Sequence, residues 1–486
     1  MIKELGATRS SPVRLGDHRT LRLRDGNIAL LSTLHTGWAI LSEMDFSVLP
    51  TWLETYGHLD TLSATEQETL SVLQNAGLVD SLKSKKVFSP QPHDKKTTTV
   101  LVKVTGSCNL RCSYCYDYES TRFHQKISLD RTKSVLSSIL ENQDALNIAF
   151  HGGEPLLRPD FIRDIISFLE AEYKDEKSLR YSLQTNGALL SADIVRFLKE
   201  KKFNVGISVD GFSRRSNQHR MMSNGKSSFD IFQRLIADFG DFIKSDCGIL
   251  SVISRSSINE IPEFCIWLQE LGISGYSMAF MDATGRGHNL KHEIPTPIEA
   301  VNLLSSIVRL IRSGELSSLN VSLVTSAIDN LFNFQPRDFC NRGPCAAANE
   351  FVVLDAEGAL RSCDIIYHPI FKIGDISSLP KEDSVFASRS WVSDRHIWLR
   401  DQGNECSTCS LFGLCGGTCA GKAISSTGEV NSIDAVTCAV SKYLYREILE
   451  EISERGVEGA PLVLYYLRHR PRTTNSTLGV NLGANL

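Results

Sequence analysis

The chain contains no uninterrupted apolar run of about 18 to 20 residues, the length that a bilayer-spanning helix needs. Its opening segment, MIKELGATRSSPVRLGD, has no apolar core of the kind a secretory signal carries. A cytoplasmic protein with no membrane partner is therefore expected. An excess of basic charge is also missing: 52 lysines and arginines stand against 56 aspartates and glutamates, for a formal net charge of -4. Binding to a nucleic-acid backbone needs a concentrated basic surface, so no nucleic-acid partner is expected. There is no long internal repeat and no low-complexity tract. With 486 residues, core burial is not limiting, and two to four domains are expected.

What the chain does have is cysteine, 13 residues of it. Disulfides are disfavoured in the cytosol, and a chain of this size does not need them as staples. The cysteines are also unevenly placed. Cys108, Cys112 and Cys115 fall within eight residues, and eight more lie between 340 and 438. Only Cys247 and Cys265 stand apart, and both read as buried core thiols. Clustering of this kind points to metal or cluster ligation.

The rhythm of the chain changes three times. Residues 1–90 carry the strand-like runs TLRLRD (20–25) and NIALLST (27–33), then a helix-like LHTGWAILSEM and a helical pattern over 64–80, together a small α+β module. The polar, proline-punctuated stretch Leu82 to Thr99 reads as a linker. Residues 96–325 alternate strand and helix patterns: TVLVKVTG, LNIAF, YSLQTN, NVGISVD, CGILSVI and YSMAFMD are separated by amphipathic segments. Largely apolar strands between such helices predict a parallel α/β sheet. Six units suit a partial (β/α)6 TIM-like barrel, with chemistry at the C-terminal ends of the strands. Residues 326–445 are loop-rich with interleaved glycine and cysteine, and bound clusters are a plausible substitute for a core there. Residues 446–486 read as a C-terminal helix and a polar tail.

Cys108, Cys112 and Cys115 directly follow the first barrel strand, in CNLRCSYCYDYE. Thiolates are soft ligands for iron-sulfur clusters or zinc. Three of them on one cluster leave one iron open. The spacing CxxxCxxC resembles the signature of radical S-adenosylmethionine (SAM) enzymes, which implies a [4Fe-4S] cluster whose open iron binds SAM. The resemblance further implies cleavage of SAM to a 5'-deoxyadenosyl radical and a role near the adenine for Tyr114. In HGGEP it implies that Gly152, Gly153 and Glu154 hold the methionyl end of the cofactor. It gives Ser208 a ribose or carboxylate contact, with Asn186 and Asp210 on the same rim. Arg220 is the candidate partner of the methionyl carboxylate. Plain turn chemistry for the glycines and a solvated role for Arg220 are the alternatives.

The C-terminal run CSTCSLFGLCGGTC resembles the core of the SPASM extension found on radical SAM enzymes that modify peptides and proteins. By that family's arrangement, Cys340, Cys345, Cys363 and Cys419 would hold one auxiliary [4Fe-4S] cluster and Cys406, Cys409, Cys415 and Cys438 another. That makes three clusters in all. Eight thiols alone allow many partitions, and two zinc sites would also satisfy the ligand count.

The resemblance implies a peptide maturase that removes a hydrogen atom from a residue of a precursor peptide and oxidises or cross-links it. A reducing partner such as a flavodoxin or ferredoxin would supply the electron. Residues 1–90 resemble, weakly, the winged-helix-like leader-binding module of peptide maturases, which would add the leader at the edge of the 20–33 strand pair; a structural cap is the alternative. An anaerobic sulfatase-type formylglycine-generating maturase is a second reading, and a non-catalytic iron-sulfur electron carrier a third. Asp364 directly follows Cys363, as in the sulfatase-maturing relatives. It is the candidate general base, with a turn-capping role as the alternative.

Overall fold

The computed structural model describes residues 14–470 except 56–63, 81–98, 119, 122, 334–339, 341, 344, 348–349, 376–389 and 403–404. The expected linker, apart from Thr99, and the polar tail beyond residue 470 lie outside the described residues.

At the N-terminal end, β1 (Arg14–Leu15) pairs with β5 (Val79–Asp80). Strands β2 (His18–Arg22), β3 (Ile28–Ser32) and β4 (Trp38–Leu41) form an antiparallel sheet in that order, accompanied by α1 (Glu43–Thr55) and α2 (Ala64–Asn75). The stretch expected to be helical around Trp38 is thus a strand. All four residues of β4 are buried, and a run this short and wholly apolar has no periodicity to separate strand from helix. The sheet is sandwiched. Leu30, Ala39 and Leu41 pack on Leu49, Leu70 and Leu73. The alternate residues Ala29, Leu31, Trp38 and Ile40 face the main core instead.

The main sheet begins with β6 (Thr99–Lys103) and continues through β7 (Ala145–His151), β8 (Ser178–Thr185), β9 (Asn204–Ser208), β10 (Cys247–Ile253) and β11 (Gly275–Phe280). These six lie side by side, parallel and in sequence order, with the short β12 (Asn320–Val321) at the far end. Helices α3 (Leu129–Leu140), α4 (Pro159–Tyr173), α5 (Ala192–Glu200), α6 (Ser228–Asp246), α7 (Ile261–Glu270) and α8 (Pro297–Ser313) alternate with the strands. Their apolar stripes cover the sheet. In α4 that stripe is Phe161, Ile162, Ile165, Ile166 and Leu169, the spacing of one helical face. The result is a partial (β/α)6 barrel.

The sequence did not reveal that the barrel sheet runs on into the cysteine-rich region. After α9 (Ser322–Phe332), β13 (Phe351–Leu354) pairs parallel with β6, and β14 (Ala359–Arg361) and β15 (Lys372–Asp375) follow antiparallel, giving ten strands in one sheet. The expected boundary at 445 falls inside the helix Ala435–Gly459. This helix is a strut. Its buried Glu450 accepts from the backbone N–H of Arg24 at 2.7 Å, and its buried Glu451 pairs with Arg312 of α8 at 2.5 Å. Among the described residues, no single helix is long and apolar enough to cross a membrane.

Candidate active site

The loop after β6 carries Cys108, Cys112 and Cys115, and two other segments hold it from either side. The N–H groups of Arg111 and Ser113 donate to the carbonyls of Met221 and His219, at 2.7 and 3.0 Å. From the other side, the Arg286 N–H donates to the Cys115 carbonyl at 3.0 Å. A side chain at Gly285 would lie 2.4 Å from that same carbonyl, so the approach requires glycine. Burial pushes the Cys108 and Cys115 thiols up to about 12, and the two remaining cysteines of the loop add to the rise at Cys108. A nucleophilic cysteine needs a depressed value.

The HGGEP turn is bound to this loop. Both glycines are left-handed, and a Cβ would lie 2.6 Å from Lys103 Cβ at Gly152 and 2.1 Å from the Ser107 carbonyl at Gly153. Their freedom is used first to pack chain on chain. The Glu154 carboxylate, 1% exposed, accepts from the Leu156 N–H (3.1 Å), the Thr185 hydroxyl (2.7 Å) and the Asn186 N–H (2.9 Å). It therefore joins the end of β7 to the end of β8. Asn186 in turn donates to Asn109 Oδ1, next to Cys108, at 2.7 Å.

Tyr114, Asp210 and Arg220 come together as one buried group. The Tyr114 hydroxyl donates to Asp210, and Arg220 Nη1 donates to the Tyr114 oxygen at 3.0 Å. Arg220 is 7% exposed, and its Nε finds no hydrogen-bond partner among the described residues. A buried guanidinium N–H with no acceptor is costly, and a carboxylate ligand would satisfy it. Ser208, at the end of β9, accepts from Gln184 at 2.8 Å. Below these groups the lumen holds a cavity of about 460 Å³, bordered by His151, Ser182, Gln184 and Gly206.

Four residues that sequence reasoning missed complete the site. Lys103, 1% exposed, pairs with Asp117 and donates to the Asp364 carbonyl at 3.0 Å. Tyr367 donates to Asp117 at 3.2 Å, and the Tyr116 hydroxyl donates to Asp364 Oδ2, also at 3.2 Å. Burial drives the Tyr116 hydroxyl well above its ordinary value, with Asp364 and Asp117 adding to the rise, so the phenol is a fixed donor. A signal was present: Lys103 is a charge at the end of the largely apolar strand β6, where lysine is rarely buried unless paired.

Among the C-terminal cysteines, Cys406, Cys409, Cys415 and Cys438 line one small pocket together with Leu411, Phe412, Thr418 and Lys442. Cys345, Cys363 and Cys419 form a second neighbourhood, in which each of the other two raises the Cys363 thiol beyond what burial does alone. Cys340 is exposed. Among the described residues, no three Cys, His, Asp or Glu side chains converge as around a single metal ion. Cys247 and Cys265 are buried in the barrel, with thiols pushed up to about 12 by burial.

A partial barrel with three cysteines after its first strand, and a cysteine-rich region continuing its sheet, defines a class of cofactor-dependent enzymes. Residues 102–268 match the Radical SAM superfamily. A cysteine-type anaerobic sulfatase-maturating enzyme of Clostridium novyi (strain NT) is 26% identical over 340 residues, 67% of this chain and 88% of that protein. The structure of native anSMEcpe with bound AdoMet and Kp18Cys peptide superposes with a TM-score of 0.63 at 20% identity, covering 76% of this chain and 99% of the other. The structure of Streptococcus suis SuiB bound to the precursor peptide SuiA gives a TM-score of 0.52 at 16% identity, covering 88% of this chain and 98% of the other. Residues 102–268 of this chain thus form a radical SAM domain, and a cysteine-rich C-terminal region continues its sheet.

Proposed function

We propose that the enzyme oxidises a side chain within a peptide or protein substrate in the manner of the anaerobic sulfatase maturases, a reading the sequence had placed second to a leader-bearing precursor peptide. Cys108, Cys112 and Cys115 would hold the SAM-binding [4Fe-4S] cluster, and Gly152, Gly153, Glu154, Asn186, Ser208, Asp210, Tyr114 and Arg220 would surround the cofactor. When bound and reduced, the pair supplies a radical that removes one hydrogen atom from the substrate. Asp364 accepts the proton that the oxidised side chain must then release. The eight C-terminal cysteines would hold two further clusters that accept the remaining electron. The balance is one hydrogen atom, one proton and one electron.

The observation that carries this reading is the contact between Tyr116 and Asp364. It holds a carboxylate of the extension against the cysteine loop of the barrel, where a general base needs little freedom and a fixed position. The test is to incubate the reconstituted, reduced enzyme with SAM and synthetic peptides bearing a cysteine or a serine. Aldehyde trapping and mass spectrometry would then report the product. Formation of 5'-deoxyadenosine without peptide aldehyde from either peptide would overturn the formylglycine reading.

A second reading, maturation of a leader-bearing precursor peptide, draws on the N-terminal sheet. Within the 20–33 pair β3 is central, so only β2 offers an edge, and there the Thr20 carbonyl accepts from Ser410 at 2.5 Å. Strand β4 pairs on one side only among the described strands, so a leader strand would add there.

A further inference from the structure

The helix Ser390–Asp401 carries an arginine, Arg395, that is 5% exposed. Its guanidinium donates to four backbone carbonyls: Val430 at 2.5 Å, Thr418 at 3.3 Å, Gly417 at 2.8 Å and Ser432 at 2.9 Å. Every acceptor is neutral. A buried cation ordinarily has an anion beside it, because hydrogen bonds to carbonyls satisfy its donors and leave its charge uncompensated. Two of those carbonyls, Gly417 and Thr418, lie in the stretch between Cys415 and Cys419, one cysteine from each neighbourhood.

The segment that Arg395 grips is unusual. Gly416, Gly417 and Thr418 are consecutive left-handed residues, at φ 63°, 86° and 67°. Thr418 is one of only two non-glycine residues with positive φ among the described residues, the other being Lys202. Such a conformation costs energy and persists only where its surroundings enforce it. Here they do so by the Arg395 bonds to both carbonyls and by the Asp434 N–H, which donates to the Thr418 hydroxyl oxygen at 3.0 Å. The strained connector has a clear consequence. It sends Cys415 into the pocket shared with Cys406, Cys409 and Cys438, and four residues later delivers Cys419 to the neighbourhood of Cys345 and Cys363.

We propose that Arg395 is a positioning residue shared by the two auxiliary cluster sites: it fixes the connector that divides the ligands between them and supplies one buried positive charge to both. Adding an electron makes a cluster more negative. A cation held between two clusters therefore stabilises the reduced form of each and keeps their potentials close, which favours passage of the electron from one to the next. Lys442 differs in that it lines only the Cys406 pocket and is held by Glu405 at 3.3 Å. The inference rests on the reading that the eight cysteines hold two clusters.

The test uses the full chain reconstituted anaerobically with iron and sulfide as wild type, Arg395→Gln and Arg395→Lys. Iron is counted, and each cluster is titrated by electron paramagnetic resonance. Loss of the charge in Arg395→Gln is expected to lower the potentials of both auxiliary clusters by about tenfold in the reduction equilibrium, about 59 mV for one electron. The SAM-binding cluster should be unmoved, and Arg395→Lys should recover most of the shift. Unchanged potentials in Arg395→Gln at full iron content, or a shift confined to one auxiliary cluster, would overturn the proposal. If Arg395→Gln loses auxiliary iron, Arg395→Lys decides: iron retained at near wild-type potentials supports the shared charge, and equal loss from both variants overturns it. A wild-type count of about four irons would instead fail the two-cluster reading itself.

Discussion

The Tyr116 hydroxyl donates to Asp364 Oδ2 at 3.2 Å, which ties the residue after Cys115 to the residue after Cys363. The two cysteine regions thus meet through their neighbours in sequence, and the carboxylate lies where both can be served.

Replacing Asp364 with asparagine keeps the shape and an acceptor for Tyr116 but removes the basicity of the carboxylate, which tests the proposed role as general base. Peptide product is expected to fall by roughly a hundredfold while 5'-deoxyadenosine still forms and iron content is unchanged. Product at the wild-type rate would leave Asp364 with a structural role only. Parallel assays of nucleoside and peptide separate the outcomes.

Changing Cys108, Cys112 and Cys115 together to alanine is expected to remove about four irons from a total of about twelve and to abolish the spectral response to SAM. An unaltered response would show that SAM binds elsewhere.

Trp38 makes a stability prediction that is independent of any cofactor. It is fully buried, its ring meets Phe332 at 5.9 Å, and its indole N–H donates to the Leu331 carbonyl at 2.9 Å. Trp38→Ala should cost about 3 to 5 kcal/mol, read as a lowered denaturation midpoint. A change below about 1 kcal/mol would mean that the N-terminal sheet is only loosely docked.

His396 gives a pH dependence. Burial, reinforced by Arg400 and Arg395, lowers its pKa from 6.5 to about 4. The folded state keeps the ring neutral while the unfolded state takes a proton below pH 6.5. This contribution to stability is therefore complete above that pH and is lost as pH falls from 6.5 towards 4. Between pH 7 and 5 the wild type should lose about 2 kcal/mol more than His396→Phe, measured by denaturant titration. Parallel losses in the two proteins would assign the acid sensitivity to other groups.

The barrel strands were legible because they sit on a sheet covered by helices and are therefore apolar, as β10 shows in CGILSVI. The first cysteine loop and HGGEP were legible because their residues are close in sequence. Strand β4 was not, since its four buried residues have no polar alternation to read. Lys103, Asp117 and Tyr367 were missed because their meeting depends on β13 lying beside β6, a pairing between distant segments that no local pattern encodes. Arg395 looked like any helical arginine, and only its burial distinguishes it.

The register of β13 on β6 sets Phe351 opposite Thr99, so these partners leave the ribosome roughly 250 residues apart. At 5 to 20 residues per second, the nascent barrel carries β6 with that edge unpaired for on the order of ten to fifty seconds. An unpaired edge is a template for wrong partners. The cysteine-rich extension is thus also the closing piece of the barrel's own assembly, and a chain truncated before residue 351 would be expected to aggregate rather than persist as a free-standing catalytic half.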